Sequence, residues 1–142
     1  MRVSARAEYA CIAVLELAAN YHEGRPVRIK SIADAHGIPA RYLVQILIQL
    51  KGAGYVVSTR GSAGGYQLAK PPEEITLGEI MSAIDGPLRA FVEPGALSGS
   101  PALRILTDVW HDVASAERQV LEETSIAELA DRLRESAHEY HI

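Results

Sequence analysis

Apolar residues recur at three- and four-residue steps along most of the chain, a spacing that predicts a mainly helical protein. A first helix is predicted from Ser4 to about Tyr21. A second, short helix follows an extended entry within 27–36 and ends at Gly37, where a left-handed turn residue belongs. A third helix is predicted over 39–53, with Pro39 in its first turn.

Capping signals predict three more helices in the second half of the chain. Thr76-Leu77-Gly78-Glu79 is a capping box that starts a helix reaching about Ile84. Ser100-Pro101 predicts the start of a long helix to about Glu123, and Ser125-Ile126-Ala127-Glu128 is a second capping box. The last helix is predicted to end near Ala137.

A short hairpin is predicted between the third and fourth helices. Tyr55–Ser58 and Tyr66–Ala69 are strand candidates, and the tip between them, 59–65, contains three glycines. Two short helices joined by a glycine turn and followed by a hairpin are typical of a winged helix-turn-helix. We therefore expect a mainly α (α+β) fold, divided into a winged helix-turn-helix domain (1–86), a loop (87–99) and a long helix with a C-terminal helix (100–142).

The third helix is predicted to have one buried and one free face. At 100° per residue the buried face holds four aliphatic residues: Leu43, Ile46, Leu47 and Leu50. Arg41, Gln45 and Gln49 fall on the opposite face, with Tyr42 and Ile48 at its flanks. Arginine suits guanine and glutamine suits adenine in the DNA major groove. An ordinary surface helix would give the same pattern, so the helix alone does not decide the function.

The hairpin tip favours DNA binding. It has little side-chain bulk, so it fits a narrow groove, and Arg60 at its base is suited to the negative potential there. Backbone N–H groups at Gly61, Gly64 and Gly65 are candidates for phosphate contacts. The tip residues predicted to contact DNA are Thr59, Arg60, Gly61, Ser62, Gly64 and Gly65. A plain hairpin turn needs fewer residues and no arginine.

Charge divides the chain into two halves. Residues 1–70 carry nine basic and four acidic side chains, a net +5, whereas 71–142 carry five basic and 14 acidic ones, a net −9. This asymmetry is compatible with a front half that meets a polyanion, although two solvated surfaces of opposite charge would look the same.

Several classes of protein are excluded by composition. Cys11 is the chain's one cysteine, which excludes an internal disulfide and, by itself, a zinc or iron–sulfur site. The apolar stretch 10–19 is too short for a membrane span and is interrupted by Glu16, so we expect no signal peptide and a cytoplasmic protein. The five histidines lack metal-ligand spacing, and Ser62 lies in a hairpin rather than at a strand-to-helix turn, so an enzyme is not expected.

The long helix is a candidate subunit interface. Its apolar residues follow a 3–4–3–7 spacing that Glu117 interrupts: Leu103, Leu106, Trp110, Val113 and Val120. Packing onto the chain's own winged domain would use the same stripe. Because a two-fold DNA site needs a dimer, we favour an interface between two copies.

Residues 1–86 resemble the Rrf2 family of winged-helix bacterial regulators, which includes IscR, NsrR, RirA and CymR. The matching segments are Ala7-Glu8-Tyr9-Ala10, Gly37-Ile38-Pro39, Tyr42-Leu43, Gln45-Ile46-Leu47, Arg60-Gly61, Gly64-Gly65-Tyr66 and Ile75-Thr76-Leu77-Gly78. The resemblance continues more weakly through Trp110 and 124–129. It implies a transcriptional regulator that binds a pseudo-palindromic operator as a homodimer. By position it places Arg41, Tyr42, Gln45 and Lys51 on the DNA-reading helix and Arg60 on the minor-groove wing.

The chain departs from this family in two respects. Val44 stands where some members have a glutamate that tunes base choice. The loop 86–100 lacks the three cysteines of cluster-binding members, and Glu8 with Cys11 cannot replace them. We therefore expect no iron–sulfur cluster and no other cofactor, with control by a partner protein or a small ligand. Repression and activation both stay open, and the alternative function is a protein-interaction module that keeps the fold without reading DNA.

Overall fold

Six α-helices and one hairpin make up the described part of the chain, which is residues 1–87 and 99–139 of a computed structural model. They are α1 (Ala5–Ala19), α2 (Ile29–His36), α3 (Ala40–Gly52), β1 (Val56–Thr59), β2 (Gly65–Leu68), α4 (Leu77–Asp85), α5 (Pro101–Glu123) and α6 (Ile126–Glu139). A 3-10 turn, Pro72–Glu74, precedes α4. The mainly helical fold class with a two-stranded sheet is confirmed.

Side-chain caps start several helices, as predicted at Thr76 and Ser100, and also at Ser4. The Ser4 hydroxyl accepts from the backbone N–H of Ala7, and Thr76 forms both halves of a capping box with Glu79. Gly37 ends α2 in the left-handed region, with φ of 67°. Pro39 precedes α3 as its N-cap instead of lying in its first turn.

The two strands lie about one residue away from the predicted positions. β1 and β2 pair antiparallel from Val56↔Leu68 to Thr59↔Gly65. Gly65 therefore belongs to the ladder, because the tip closes over 60–64 rather than 59–65. Val56 and Leu68 are the buried pair that fixes the hairpin on the core.

The core forms around α1, whose buried face is mostly alanine. Small side chains at Ala7, Ala10 and Ala13 let neighbouring helices approach closely, and Val14 and Leu17 fill the space beyond them. The four predicted aliphatic residues of α3 are fully buried in the same core: Leu43, Ile46, Leu47 and Leu50. This anchoring fixes which side of α3 is left exposed.

The C-terminal helices are joined to this core instead of forming a separate one. Ile126 is fully buried, and its N–H donates to the carbonyl of Ile75 at 2.8 Å. The N–H of Leu77 donates to the carbonyl of Thr124 at 2.9 Å. The predicted boundary at residue 86 thus does not separate two cores, and most of the predicted loop, 88–98, lies outside the described residues.

No helix among residues 1–87 and 99–139 is long and apolar enough to cross a bilayer.

Candidate nucleic-acid interface

The side of α3 opposite the core forms one exposed stripe. Its members are Arg41, Tyr42, Val44, Gln45 and Ile48. Most of them follow the i, i+3, i+4, i+7 spacing of a single helical face. The predicted exposure of Arg41 and Gln45 is confirmed.

Gln49 does not belong to the free face, so its predicted position is wrong. Its amide nitrogen donates to the carbonyls of Ala83 at 3.0 Å and Ile84 at 3.1 Å. Its amide oxygen accepts from Arg6 at 2.5 Å. The carbonyls at the end of a helix lack helical partners, and Gln49 satisfies two of them on α4. It joins α3 to α4 and α1.

Tyr42 supports the N-terminal turn of the exposed stripe. Its ring stacks on Tyr9 of α1, with centroids 6.1 Å apart. The guanidinium carbon of Arg41 lies 5.0 Å from the Tyr42 ring centroid, within cation–π range. Arg41 is therefore an exposed cation held at the start of α3.

Lys51 connects the end of α3 to the hairpin. Its ammonium donates to the hydroxyl of Ser58 at 2.6 Å. Because Ser58 lies on β1, this bond holds the C-terminal end of α3 against the hairpin.

The hairpin tip, residues 60–64, is here called the wing, and glycines determine its backbone geometry. Gly61 has φ of 103°, a backbone conformation that residues other than glycine rarely adopt. The N–H of Gly64 donates to the carbonyl of Gly61 at 3.0 Å, and Gly64 is buried. The predicted phosphate contact through the Gly64 N–H is therefore wrong, because that group closes the turn. Thr59, Arg60, Gly61 and Ser62 are exposed, and Gly65 is half-buried.

Two residues before α2 brace the wing, and sequence reasoning missed both. Val27 pairs with Tyr66 of β2 through hydrogen bonds of 2.9 and 2.8 Å. Arg28 donates to the carbonyls of Gly61, at 3.2 Å, and Ser62. A basic residue before a helix carries no sequence signal for such a contact with residues more than 30 positions away. The wing tip is thus held from the helix-turn-helix side.

This surface is free of carboxylates along its whole segment. Between Asp34 and Glu73 the chain has no acidic side chain, whereas it has four cations: Arg41, Lys51, Arg60 and Lys70. Within the described part of the chain, nothing pairs with the Arg60 guanidinium. The surface formed by α3 and the wing suits a polyanion.

The long helix α5 leaves much of its apolar surface exposed. Only Leu121 of its described residues is buried. Of the predicted interface residues, Leu106, Val113 and Val120 are exposed, whereas Leu103 and Trp110 are half-buried. Ile105 and Val109, which the sequence pattern did not single out, extend the exposed set, whose exposures range from 38% to 68%.

Comparison with known proteins identifies the family. Residues 3–132 match the family model Rrf2, described as "Iron-dependent Transcriptional regulator". The chain belongs to the Rrf2 family. It is therefore a member of a family of transcriptional regulators, not of enzymes.

Rrf2 relatives with solved structures share the winged-helix architecture. CymR of Bacillus subtilis, named as the global cysteine regulator, is 33% identical with a TM-score of 0.83, covering 93% of this chain and 98% of that one. T. potens IscR is 31% identical with a TM-score of 0.77, covering 96% and 90%. A Mycobacterium tuberculosis protein provisionally named as an HTH-type transcriptional regulator is 42% identical over 132 residues, 92% of this chain and 81% of that one.

The iron in the Rrf2 description does not fit the residues of this chain. Cluster ligation needs several thiolates, and Cys11 is the single cysteine. Burial, and then the nearby carboxylates of Glu8 and Asp85, raise the pKa of the Cys11 thiol to about 11, so it is a protonated side chain at neutral pH. Among residues 1–87 and 99–139, no three metal-ligating side chains come together.

Proposed function

We propose that this Rrf2 protein binds duplex DNA sequence-specifically, as a homodimer on a pseudo-palindromic operator, without an iron–sulfur cluster. One observation carries the proposal. The exposed stripe of α3 and the wing belong to one segment of the chain with four cations and no carboxylate, and Lys51 at the end of α3 donates to Ser58 of the hairpin that carries the wing.

In this proposal α3 lies in the major groove, with its N-terminal half against the base edges. The fork of Arg41 suits the O6 and N7 acceptors of guanine, and the Gln45 amide suits N6 and N7 of adenine. Lys51, at the junction with β1, contacts a phosphate. Tyr42 is a second contact, placed at the groove edge by its stacking on Tyr9.

The wing enters the adjacent minor groove. Arg60 supplies the cation for that groove, while Thr59, Gly61, Ser62 and Gly65 lie near the phosphates. The two hydrogen bonds from Arg28 fix the tip before DNA arrives, which lowers the entropic cost of ordering it on binding.

The exposed apolar residues of α5 support the homodimer. A stripe of this size is unusual on a monomer surface and typical of an interaction site. A two-fold contact of the stripe with its copy would present two α3 helices to two half-sites. Leu106, Val113 and Val120 are the interface residues best supported by exposure, and Ile105 and Val109 join them.

Regulation without a cluster requires another signal. We propose that a partner protein or a small ligand supplies it, and that the protein acts in the cytoplasm.

Fluorescence anisotropy with duplexes from the upstream region of the protein's own gene tests the proposal. We expect preference for one segment over random-sequence DNA at physiological salt, with affinity that falls steeply as salt rises. Arg60→Ala or Gln45→Ala is expected to cost about 1–3 kcal/mol on that segment.

Arg132→Ala is the matched control, since Arg132 is an exposed arginine on α6 that pairs with Glu128. It is expected to leave binding unchanged. Absence of any preference and of any salt dependence, together with a stable complex with a protein partner, would instead support the interaction-module alternative.

A further inference from the structure

Two aliphatic side chains interrupt the polar stripe of α3. Val44 is 36% exposed and Ile48 is 54% exposed. They lie one helical turn apart, on the same face as Arg41 and Gln45. The core of α3 is already complete with four fully buried aliphatic residues, so Val44 and Ile48 are not needed for its packing.

The surroundings of this pair point to DNA and not to an apolar protein partner. Arg41 precedes the pair and Lys51 follows it, and no carboxylate occurs from 35 to 72. A partner docked on Val44 and Ile48 must therefore tolerate cations on both sides, as a polyanion does.

The major groove has one apolar group on its base edges, the C5-methyl group of thymine. An A·T pair presents this methyl on the same groove edge as the N6 and N7 atoms of adenine, beyond the thymine O4, and a glutamine amide reads N6 and N7. Gln45 follows Val44 directly, so its amide and the valine methyls project from neighbouring positions of the exposed stripe.

We propose that Val44 and Ile48 contact thymine C5-methyl groups, so that each half-site holds thymines next to the adenine read by Gln45. The assignment rests on the proposed function and deepens it, because it names the bases that this surface prefers.

The test uses the full chain and a duplex selected by it from a random-sequence library. The same duplex is then made with deoxyuridine in place of thymine in both half-sites, which removes the methyl groups and keeps every hydrogen-bonding atom. The dissociation constant of the wild-type protein is expected to rise about four-fold for each contacted methyl lost.

Variants assign the effect to particular side chains. Val44→Ala and Ile48→Ala are expected to bind the thymine duplex more weakly than the wild type does. Each variant is also expected to lose less affinity than the wild type when deoxyuridine replaces thymine. Val57→Ala is the matched control, because Val57 on β1 is 46% exposed and lies outside the stripe. It is expected to behave as the wild type on both duplexes.

The outcomes separate this inference from the proposed function. Equal affinity for the thymine and deoxyuridine duplexes would overturn the thymine assignment and leave specific DNA binding in place. The assignment would also be overturned if the change from thymine to deoxyuridine weakened binding equally for the wild type, Val44→Ala and Ile48→Ala. Another part of the protein would then contact the methyl groups. Failure to select any duplex over random DNA would refute the proposed function itself.

Discussion

Gly64→Ala perturbs the wing while leaving the core in place. A Cβ atom on Gly64 would overlap the carbonyl oxygen of Thr59 and would lie 2.8 Å from the carbonyl carbons of Thr59 and Arg60. All three atoms belong to the backbone, so no side chain can rotate away to make room. The tip must shift, and Arg60 shifts with it.

The size of the effect follows from where Gly64 lies. Overpacking of this kind costs about 1–3 kcal/mol. Because the tip contacts little besides Arg28 and Val27, we expect a lowered Tm, by roughly 3–5 °C per kcal/mol, and not global unfolding. Loss of the proposed contact between Arg60 and the DNA minor groove is expected to reduce the binding free energy by about 1–3 kcal/mol, or to raise the Kd about five- to 150-fold.

Thermal denaturation followed by circular dichroism measures the Tm, and fluorescence anisotropy with the preferred duplex measures the Kd. Gly52→Ala is the matched control, since a Cβ on Gly52 meets nothing within 4 Å and the position is helical. It is expected to bind normally and to be equally stable or up to about 1 kcal/mol more stable. Wild-type affinity for Gly64→Ala would refute the proposed role of the wing.

Three further outcomes follow from the contacts described. Gln49→Ala removes the hydrogen bonds to α4 and is expected to lower the free energy of unfolding by about 1–3 kcal/mol in urea titrations, with no change in the base preference of DNA binding. A relaxed base preference would show that Gln49 contacts DNA after all. The pKa of the Cys11 thiol is raised from 9.0 to about 11 in the folded protein. The stability that the protonated thiol contributes is therefore complete below pH 9 and is lost as the pH rises towards 11. Alkylation of the native thiol is expected to be negligible at pH 7.5 and to increase steeply above pH 9, because the thiolate is the reactive form. Val113→Asp charges the exposed stripe of α5 and is expected to convert a dimer into a monomer in sedimentation velocity, and a dimer that survives would place the interface elsewhere.

Features that depend on neighbouring residues in the chain could be predicted from the sequence. The buried face of α3 follows from helical periodicity, and the capping boxes and the Gly37 turn follow from local hydrogen bonding. The strands lie one position away from those that the sequence predicts, because Gly65 pairs with Thr59 in a register that periodicity does not encode.

Features that depend on distant packing could not be predicted in this way. Gln49 lies at the flank of α3, and only the position of the α4 carbonyls decides that it is bonded rather than free. The contact from Arg28 to the wing spans residues more than 30 positions apart. On α5 the spacing suggested one stripe, whereas packing leaves Leu103 and Trp110 half-buried and exposes Ile105 and Val109.

Directed cleavage of bound DNA tests the central claim most directly, which is that α3 and the wing together face the duplex. A chelated-iron tag is attached at Ser62→Cys on the wing or, as a control, at Glu128→Cys on α6, both in a Cys11→Ala background. The wing tag is expected to cut the preferred duplex at discrete minor-groove positions, once in each half-site, whereas the α6 tag is expected not to cut it. Uncut DNA in the complex with the wing tag, or identical cleavage from both tags, would contradict that claim.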